Sequence, residues 1–157
     1  MNGSDKELRE LPVSVMAYIG DAVYELAVRK ALAARFRGKS GELHRRCVRL
    51  VKAAAQADVA RRLFTDLTEE EESVFRRGRN SAPGSHPKHA APVDYRVATG
   101  LEALIGWLHL SGKSERIDEL MLRILEDYEY GEERRQSGQA GGTQPCNGSS
   151  ESGQDDQ

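Results

Sequence analysis

Apolar residues in this chain return every three or four positions, and no stretch alternates apolar with polar side chains. Alternation is what a half-buried strand requires, and the wider spacing is what an amphipathic helix requires. The pattern predicts an all-α fold. Pro12 stands where a first helical residue often stands, because its missing N–H would lack a partner there anyway. Val15, Ile19, Val23 and Leu26 follow at helical spacing, predicting a helix over residues 12–36 with those side chains in the core. Gly38, Ser40 and Gly41 read as a break. An Ala-rich helix is predicted over 42–64, with Leu43, Cys47, Leu50, Val51, Ala54, Val59 and Leu63 as core positions. Thr68 opens a Thr-Glu-Glu-Glu capping box with Glu71 in the reciprocal place. That helix carries its acids first and ends in Arg76 and Arg77 before Gly78, as the helix dipole prefers.

Residues 78–93 hold Pro83, Pro87, Pro92 and Gly84, and read as one long loop. Loops longer than about 12–15 residues in compact domains are usually functional or disordered. Asp94 is placed to cap the next helix, which turns Leu101, Leu104, Ile105 and Leu108 inward and stops at Ser111-Gly112. Ser114 is placed to cap the last helix, with Ile117, Leu120, Met121, Ile124 and Leu125 on its apolar side. After Gly131 the chain turns to Gly, Ser, Gln and Asn, too polar to offset the entropy of ordering. The expected organisation is one domain over residues 9–130 and a disordered polar tail over 131–157. A chain of 157 residues supports one hydrophobic core of this kind.

The formal net charge of −2 conceals an uneven distribution. Residues 29–89 hold fifteen Lys/Arg against seven Asp/Glu, whereas residues 131–157 are net acidic. A basic segment favours a polyanionic partner, and an ordinary solvated surface has the same composition. Cys47 and Cys146 are far apart and fit no metal-ligand spacing, so a disulfide framework is not expected and a reducing cytoplasm fits. No basic segment followed by an apolar run and a cleavage site opens the sequence. The apolar stretch over 11–28 contains Asp21 and Glu25, and one carboxylate at the centre of a membrane helix costs about 3 kcal/mol. A buried helix is expected there, not a membrane span.

Two carboxylates stand in surroundings that do not suit them. Asp21 is the only charged residue between Glu10 and Glu25, and Glu102 the only formally charged one between Arg96 and Lys113. A lone carboxylate in an apolar helix needs a cationic partner, a proton or a metal. Glycines flank both: Gly20 beside Asp21, and Gly100 and Gly106 around Glu102. A glycine inside a helix costs roughly 1 kcal/mol relative to alanine, and close approach of another backbone or a ligand is the expected return. Two converging oxygen ligands suit Mg²⁺, which keeps several waters and uses few protein carboxylates. Glu25 falls on nearly the same face as Asp21, either as a supporting group or in a surface ion pair.

At this point the residues carry a family likeness. Ala17-Tyr18-Ile19-Gly20-Asp21-Ala22-Val23-Tyr24-Glu25-Leu26 resembles the ribonuclease III signature, and Leu101-Glu102-Ala103-Leu104-Ile105-Gly106 resembles that family's second motif. Ala17 and Thr99 stand where the family usually has two further acids, and no double-stranded-RNA-binding domain follows. That combination resembles the Mini-III group, as does Arg76-Arg77-Gly78-Arg79-Asn80 before a Pro/Gly-rich loop. The resemblance implies a ribonuclease III endonuclease-like helical fold, a homodimer and a Mg²⁺-dependent endoribonuclease acting on double-stranded RNA. It also implies a role in maturing the ends of the large-subunit (23S) ribosomal RNA precursor. Asp21 and Glu102 match the family's catalytic, metal-holding positions.

The expected RNA contacts are Arg76, Arg77, Arg79 and Lys88, with Arg45, Arg46 and Arg49 as a second cationic face. Duplex RNA is read chiefly through phosphates and 2′-hydroxyls, which such groups suit. His86 and His89 lack Cys or acidic neighbours and make a poor metal pair. Tyr18, Tyr24, Tyr95 and Trp107 are expected in the core or between subunits. Two alternatives are a family member that binds RNA or the ribosome without cutting, and a plain helical interaction protein. Retained Asp21 and Glu102 favour the enzyme.

Overall fold

The computed structural model describes residue 8, residues 10–81 and residues 92–139, with side chains as far as residue 129. Among the described residues there is no strand. Among the described residues the helices delimited are, in order, α1 (Val13–Arg35), α2 (Ser40–Val51), α3 (Ala53–Leu63), α4 (Glu69–Ser81), α5 (Pro92–Leu110) and α6 (Ser114–Gln139). A 3₁₀ turn, Phe64–Asp66, joins α3 to α4. The all-α expectation holds.

The packing is organised around α5, on which α1, α3 and α4 all lie. Its Leu101, Leu104, Ile105 and Leu108 are almost wholly buried, as their spacing predicts. Each such side chain contributes about 1.5–3 kcal/mol relative to exposure. Its end is also as expected. Gly112 takes a positive φ of 71°. Its N–H donates to the His109 carbonyl at 3.0 Å, and Lys113 N–H donates to the Leu108 carbonyl at 2.9 Å. This left-handed cap satisfies carbonyls that the helix end would otherwise leave open. On α6, Ile117, Leu120, Met121, Ile124 and Leu125 are buried.

The capping box forms as expected. Thr68 N–H donates to Glu71 Oε2 at 3.0 Å, and Glu71 N–H donates to Thr68 Oγ1 at 3.3 Å. Glu71 is itself buried and takes a fork from Arg116, whose Nε and Nη2 donate to its two oxygens at 2.9 and 3.1 Å. Burial opposes ionisation of Glu71, but the bonds from Arg116 and the Thr68 N–H outweigh it and hold the carboxyl below its usual range.

Several local expectations are corrected. The core face of α1 is Met16, Ala17, Gly20, Tyr24, Val28 and Leu32. Val15 and Leu26 are exposed, and Ile19 and Val23 only half-buried. This helix is apolar around most of its circumference, so periodicity alone does not select a face. Residues 42–64 are two helices, not one, because Lys52 is extended with ψ 143°. Ala54, expected inside, is exposed. The helix of Arg76 and Arg77 does not stop before Gly78 but runs on to Ser81. Pro12 is the residue before α1 rather than its first. Asp94 lies within the first turn of α5, where it accepts from Arg61. The compact unit ends at Glu126. From Asp127 the backbone is helical to Gln139, past Gly131, since Glu132, Glu133, Arg134, Arg135 and Gln136 are good helix formers.

Glycine decides the closest contacts. A Cβ on Gly20 would lie 1.7 Å from the Glu102 carbonyl oxygen, and one on Gly106 would lie 1.9 Å from that of Met16. A Cβ on Gly78 would lie 2.5 Å from the Ala103 side chain and one on Gly100 2.9 Å from the Phe75 carbonyl oxygen, so α4 sits on α5 in the same close way. Gly20→Ala and Gly106→Ala should therefore each destabilise by about 3 kcal/mol or more, despite the better helix propensity of alanine. Gly41→Ala, whose Cβ would meet only Arg45 Nη1 at 4.0 Å, should stabilise by up to about 1 kcal/mol. Urea unfolding of the three variants measures both signs; a neutral Gly20→Ala would show that α1 and α5 are not in backbone contact.

Candidate functional site

The tight crossing of α1 and α5 carries the two isolated carboxylates. Asp21 follows Gly20 directly, and Gly20 abuts the backbone of Glu102 itself. The crossing thus brings residues 81 positions apart in sequence to the same place. Asp21 is exposed and Glu102 half-buried. Burial, first, and the charge of Asp21, second, push the Glu102 carboxyl up to about 7. Desolvation penalises the ionised form, and a second negative charge nearby adds to the penalty. The two carboxylates therefore compete for charge, which is the electrostatic condition a divalent cation relieves.

Three elements shape the rest of the site. Tyr24, one turn beyond Asp21 on α1, is fully buried and its hydroxyl donates to the Leu50 carbonyl at 3.3 Å. Burial first, then the neighbouring Cys47 and Glu102, raise its pKa well above the ordinary phenol value. It stays a neutral donor and ties α1 to α2. From α3 comes Gln56, 2% exposed, whose amide lies near enough to Glu102 to favour the ionised carboxylate. Its Nε2 nevertheless has no partner in full hydrogen-bond geometry among the described residues. Sequence reasoning passed over Gln56. The signal was present, since it is the one amide at helical spacing with Val59, Ala60 and Leu63.

The two positions where the family's further acids are absent are filled structurally. Ala17 is buried against the core. Thr99 Oγ1 donates back to the Tyr95 carbonyl at 2.9 Å within its own helix. Glu25 takes the ion-pair alternative, accepting from Arg29 one turn on. Among the described residues no group of three or more His, Cys, Asp or Glu is placed to hold a metal ion. Two hard oxygen ligands with an unsatisfied amide beside them still fit a cation such as Mg²⁺ that keeps most of its waters.

The basic residues lie on two helices. Arg76 and Arg77 stand on α4 as expected, and Arg79, expected on the loop, stands on the same helix. Arg77 is exposed; Arg76 donates to Glu72 and stacks over the Phe64 ring at 5.3 Å. Arg76 and Arg79, with Arg61 of α3, flank a groove of about 360 Å³ floored by Phe64 and Phe75. On α2, Arg45 and Arg49 are exposed, whereas Arg46 donates to Glu42 at 3.0 Å and lies over Phe36 at 4.3 Å. Lys88, with His86 and His89, lies outside the described residues. Among the described residues no helix is long and apolar enough to cross a membrane.

Comparison with known proteins gives the family and agrees with the helical fold. Residues 14–113 match the Ribonuclease III domain family. The chain is 43% identical over 122 residues to a Mini-ribonuclease 3 of Symbiobacterium thermophilum, covering 78% of this chain and 94% of that one. It is 50% identical over 107 residues to one from Brevibacillus brevis, covering 68% and 80%. A crystal structure of a protein from Fusobacterium nucleatum superposes with a TM-score of 0.69 at 27% identity, over 78% of this chain and 98% of that one.

The raised Glu102 pKa has a direct consequence for stability. The folded protein holds the Glu102 proton more tightly than the unfolded chain, whose value is near 4.5. Stability from this group is therefore complete below about pH 4.5 and is lost as pH rises to about 7. In metal-free protein the loss should reach up to about 3 kcal/mol. Glu102→Gln, which cannot ionise, should lack that part of the slope and be the more stable protein at pH 8. Urea titrations of both proteins across this range, with chelator, give the comparison; parallel curves would mean Glu102 is solvated.

Proposed function

The chain belongs to the ribonuclease III family, in its Mini-ribonuclease 3 group, and is an endoribonuclease; on that premise we propose that it cuts double-stranded RNA with Asp21 and Glu102 as its catalytic, metal-holding pair. The observation that carries this reading is the meeting of two otherwise isolated carboxylates at a glycine-tight crossing, where burial and Asp21 push Glu102 up to about 7. When bound, a divalent cation, Mg²⁺ in this reading, supplies charge stabilisation at the scissile phosphate and a more acidic attacking water.

The protein's own part is to hold charge in place. Asp21 and Glu102 present hard oxygen ligands, and with only two of them a phosphate oxygen of the RNA completes the set. Glu102 binds a cation only when ionised, so protons compete with metal below about pH 7 and activity falls there. Exposed Arg77, with Arg76, Arg79 and Lys88, supplies sequence-independent attraction for duplex phosphates, and Arg45, Arg46 and Arg49 extend it. The substrate in this reading is the duplex formed by the ends of the large-subunit ribosomal RNA precursor, in the cytoplasm.

A homodimer fits the same helix. Tyr18 is 82% exposed and Leu26 59%, and with Val15 they form an apolar stripe on α1 alongside Asp21. Contiguous exposed apolar residues mark an interaction surface. A second copy there would set two sites side by side, one for each RNA strand.

Three measurements test the proposal. Asp21→Asn and Glu102→Gln should each lower duplex cleavage in Mg²⁺ by more than the roughly 10–100-fold typical of losing an outer-shell partner, while duplex binding remains. Full cleavage by Asp21→Asn would overturn the assignment, and binding without cleavage by the wild type would identify a scaffold instead. Replacing Arg76, Arg77, Arg79 and Lys88 by alanine should weaken binding and lower the salt slope by roughly one for each phosphate that is no longer neutralised. Tyr18→Glu combined with Leu26→Glu should sediment as a monomer where the wild type sediments as a dimer.

A further inference from the structure

Gln56 is a polar side chain in a position that the helical pattern reserves for an apolar one. It is 2% exposed, and its neighbours on the same face of α3, Val59, Ala60 and Leu63, are all buried. Its backbone is accounted for, since its N–H donates to the Lys52 carbonyl at 2.9 Å. The extended Lys52 restarts the helix and so sets which way residue 56 points. Its side-chain Nε2, by contrast, is buried with no partner in full hydrogen-bond geometry among the described residues. An unsatisfied buried amide is costly, and a methionine of similar length would serve packing better. The amide acts on Glu102, whose charged form it favours.

We infer that Gln56 is a positioning residue for the cation site: its amide donates to one oxygen of Glu102 when the site is loaded, and so turns the other oxygen to the metal. The inference rests on the reading of Asp21 and Glu102 as the metal-holding pair. A ligating carboxylate is ionised and accepts a strong, charge-assisted N–H bond. Such an outer bond fixes the ligand's rotamer before metal arrives. In the metal-free protein the amide already lies close enough to Glu102 to favour its charged form, short of full hydrogen-bond geometry, and so is held ready for that bond. Tyr24 does not fill this role, because its hydroxyl already donates to the Leu50 carbonyl.

Mn²⁺ binding to the full chain at pH 8, followed by electron paramagnetic resonance, tests the inference without relying on activity. Four proteins are compared: wild type, Gln56→Met, Gln56→Leu and Glu102→Gln. Gln56→Met should weaken Mn²⁺ affinity by about 10–100-fold with a melting temperature no lower than wild type. The Mg²⁺ concentration for half-maximal duplex cleavage should rise by the same factor, with the rate at saturating Mg²⁺ largely kept. Glu102→Gln should lose the site. If Glu102→Gln loses Mn²⁺ but both Gln56 variants bind it like wild type, the Gln56 inference is wrong and the site reading stands. If Glu102→Gln binds Mn²⁺ as wild type does, the site reading fails first. Should both Gln56 variants lose their fold, or lose affinity only in step with a lowered melting temperature, Gln56 is a structural residue and the inference is overturned.

Discussion

The rest of this molecule depends on one close approach between two helix backbones. At Gly20 and Gly106, α1 and α5 come nearer than any side chain would permit. Each glycine weakens its own helix by roughly 1 kcal/mol, and the packing of an almost wholly apolar α5 offsets that loss. The geometry fixes the register of Asp21 against Glu102, because both sit at the crossing itself. A shift of one helical residue would turn either carboxylate by about 100° around its helix axis. The second glycine pair, Gly78 with Gly100, seats α4 on the same central helix and fixes where Arg76, Arg77 and Arg79 emerge.

Around this crossing the protein accepts electrostatic and hydrogen-bonding penalties that a purely structural core would avoid. Glu102 is driven towards protonation, and the Gln56 amide is buried without a partner among the described residues. Both penalties fall at one place, and in the proposed reading both would be relieved by a cation that ionises Glu102 and makes it a stronger acceptor. The contrast with Glu71 is instructive. That residue is also buried, yet the Arg116 fork and the Thr68 N–H hold its carboxylate ionised. Glu71 has its counter-charge within the chain, and Glu102 has none among the described residues.

The helix that carries Asp21 uses two faces. Gly20, Tyr24, Val28 and Leu32 face the core, while Val15, Tyr18 and Leu26 remain exposed. A chain that folded only for its own stability would set polar residues on the outer face. The apolar outer face lies on the same helix as Asp21, so the proposed association and the proposed chemistry would draw on one helix. In the same reading the basic residues of α2 and α4 would supply the remaining element, an attraction for phosphate that needs no base contacts.

Much of this was legible before folding. Helical spacing, the Thr68–Glu71 capping box, the Gly112 stop and the buried face of α6 are local properties, set by residues within two turns of one another. The isolation of Asp21 and Glu102 in apolar runs was equally visible, because an unpaired charge is conspicuous against its neighbours. Other features were settled only by packing. An apolar circumference does not say which face of α1 turns inward; the depth of the Gly20 groove decides it. Gly78 reads as a helix end, and only the presence of Ala103 and Gly100 opposite makes it a contact point. The break at Lys52 has no glycine or proline to announce it. Gln56 was passed over because an exposed glutamine and a buried one are the same letter. What distinguishes them is a neighbour 46 residues away, and sequence spacing carries no record of that distance in space.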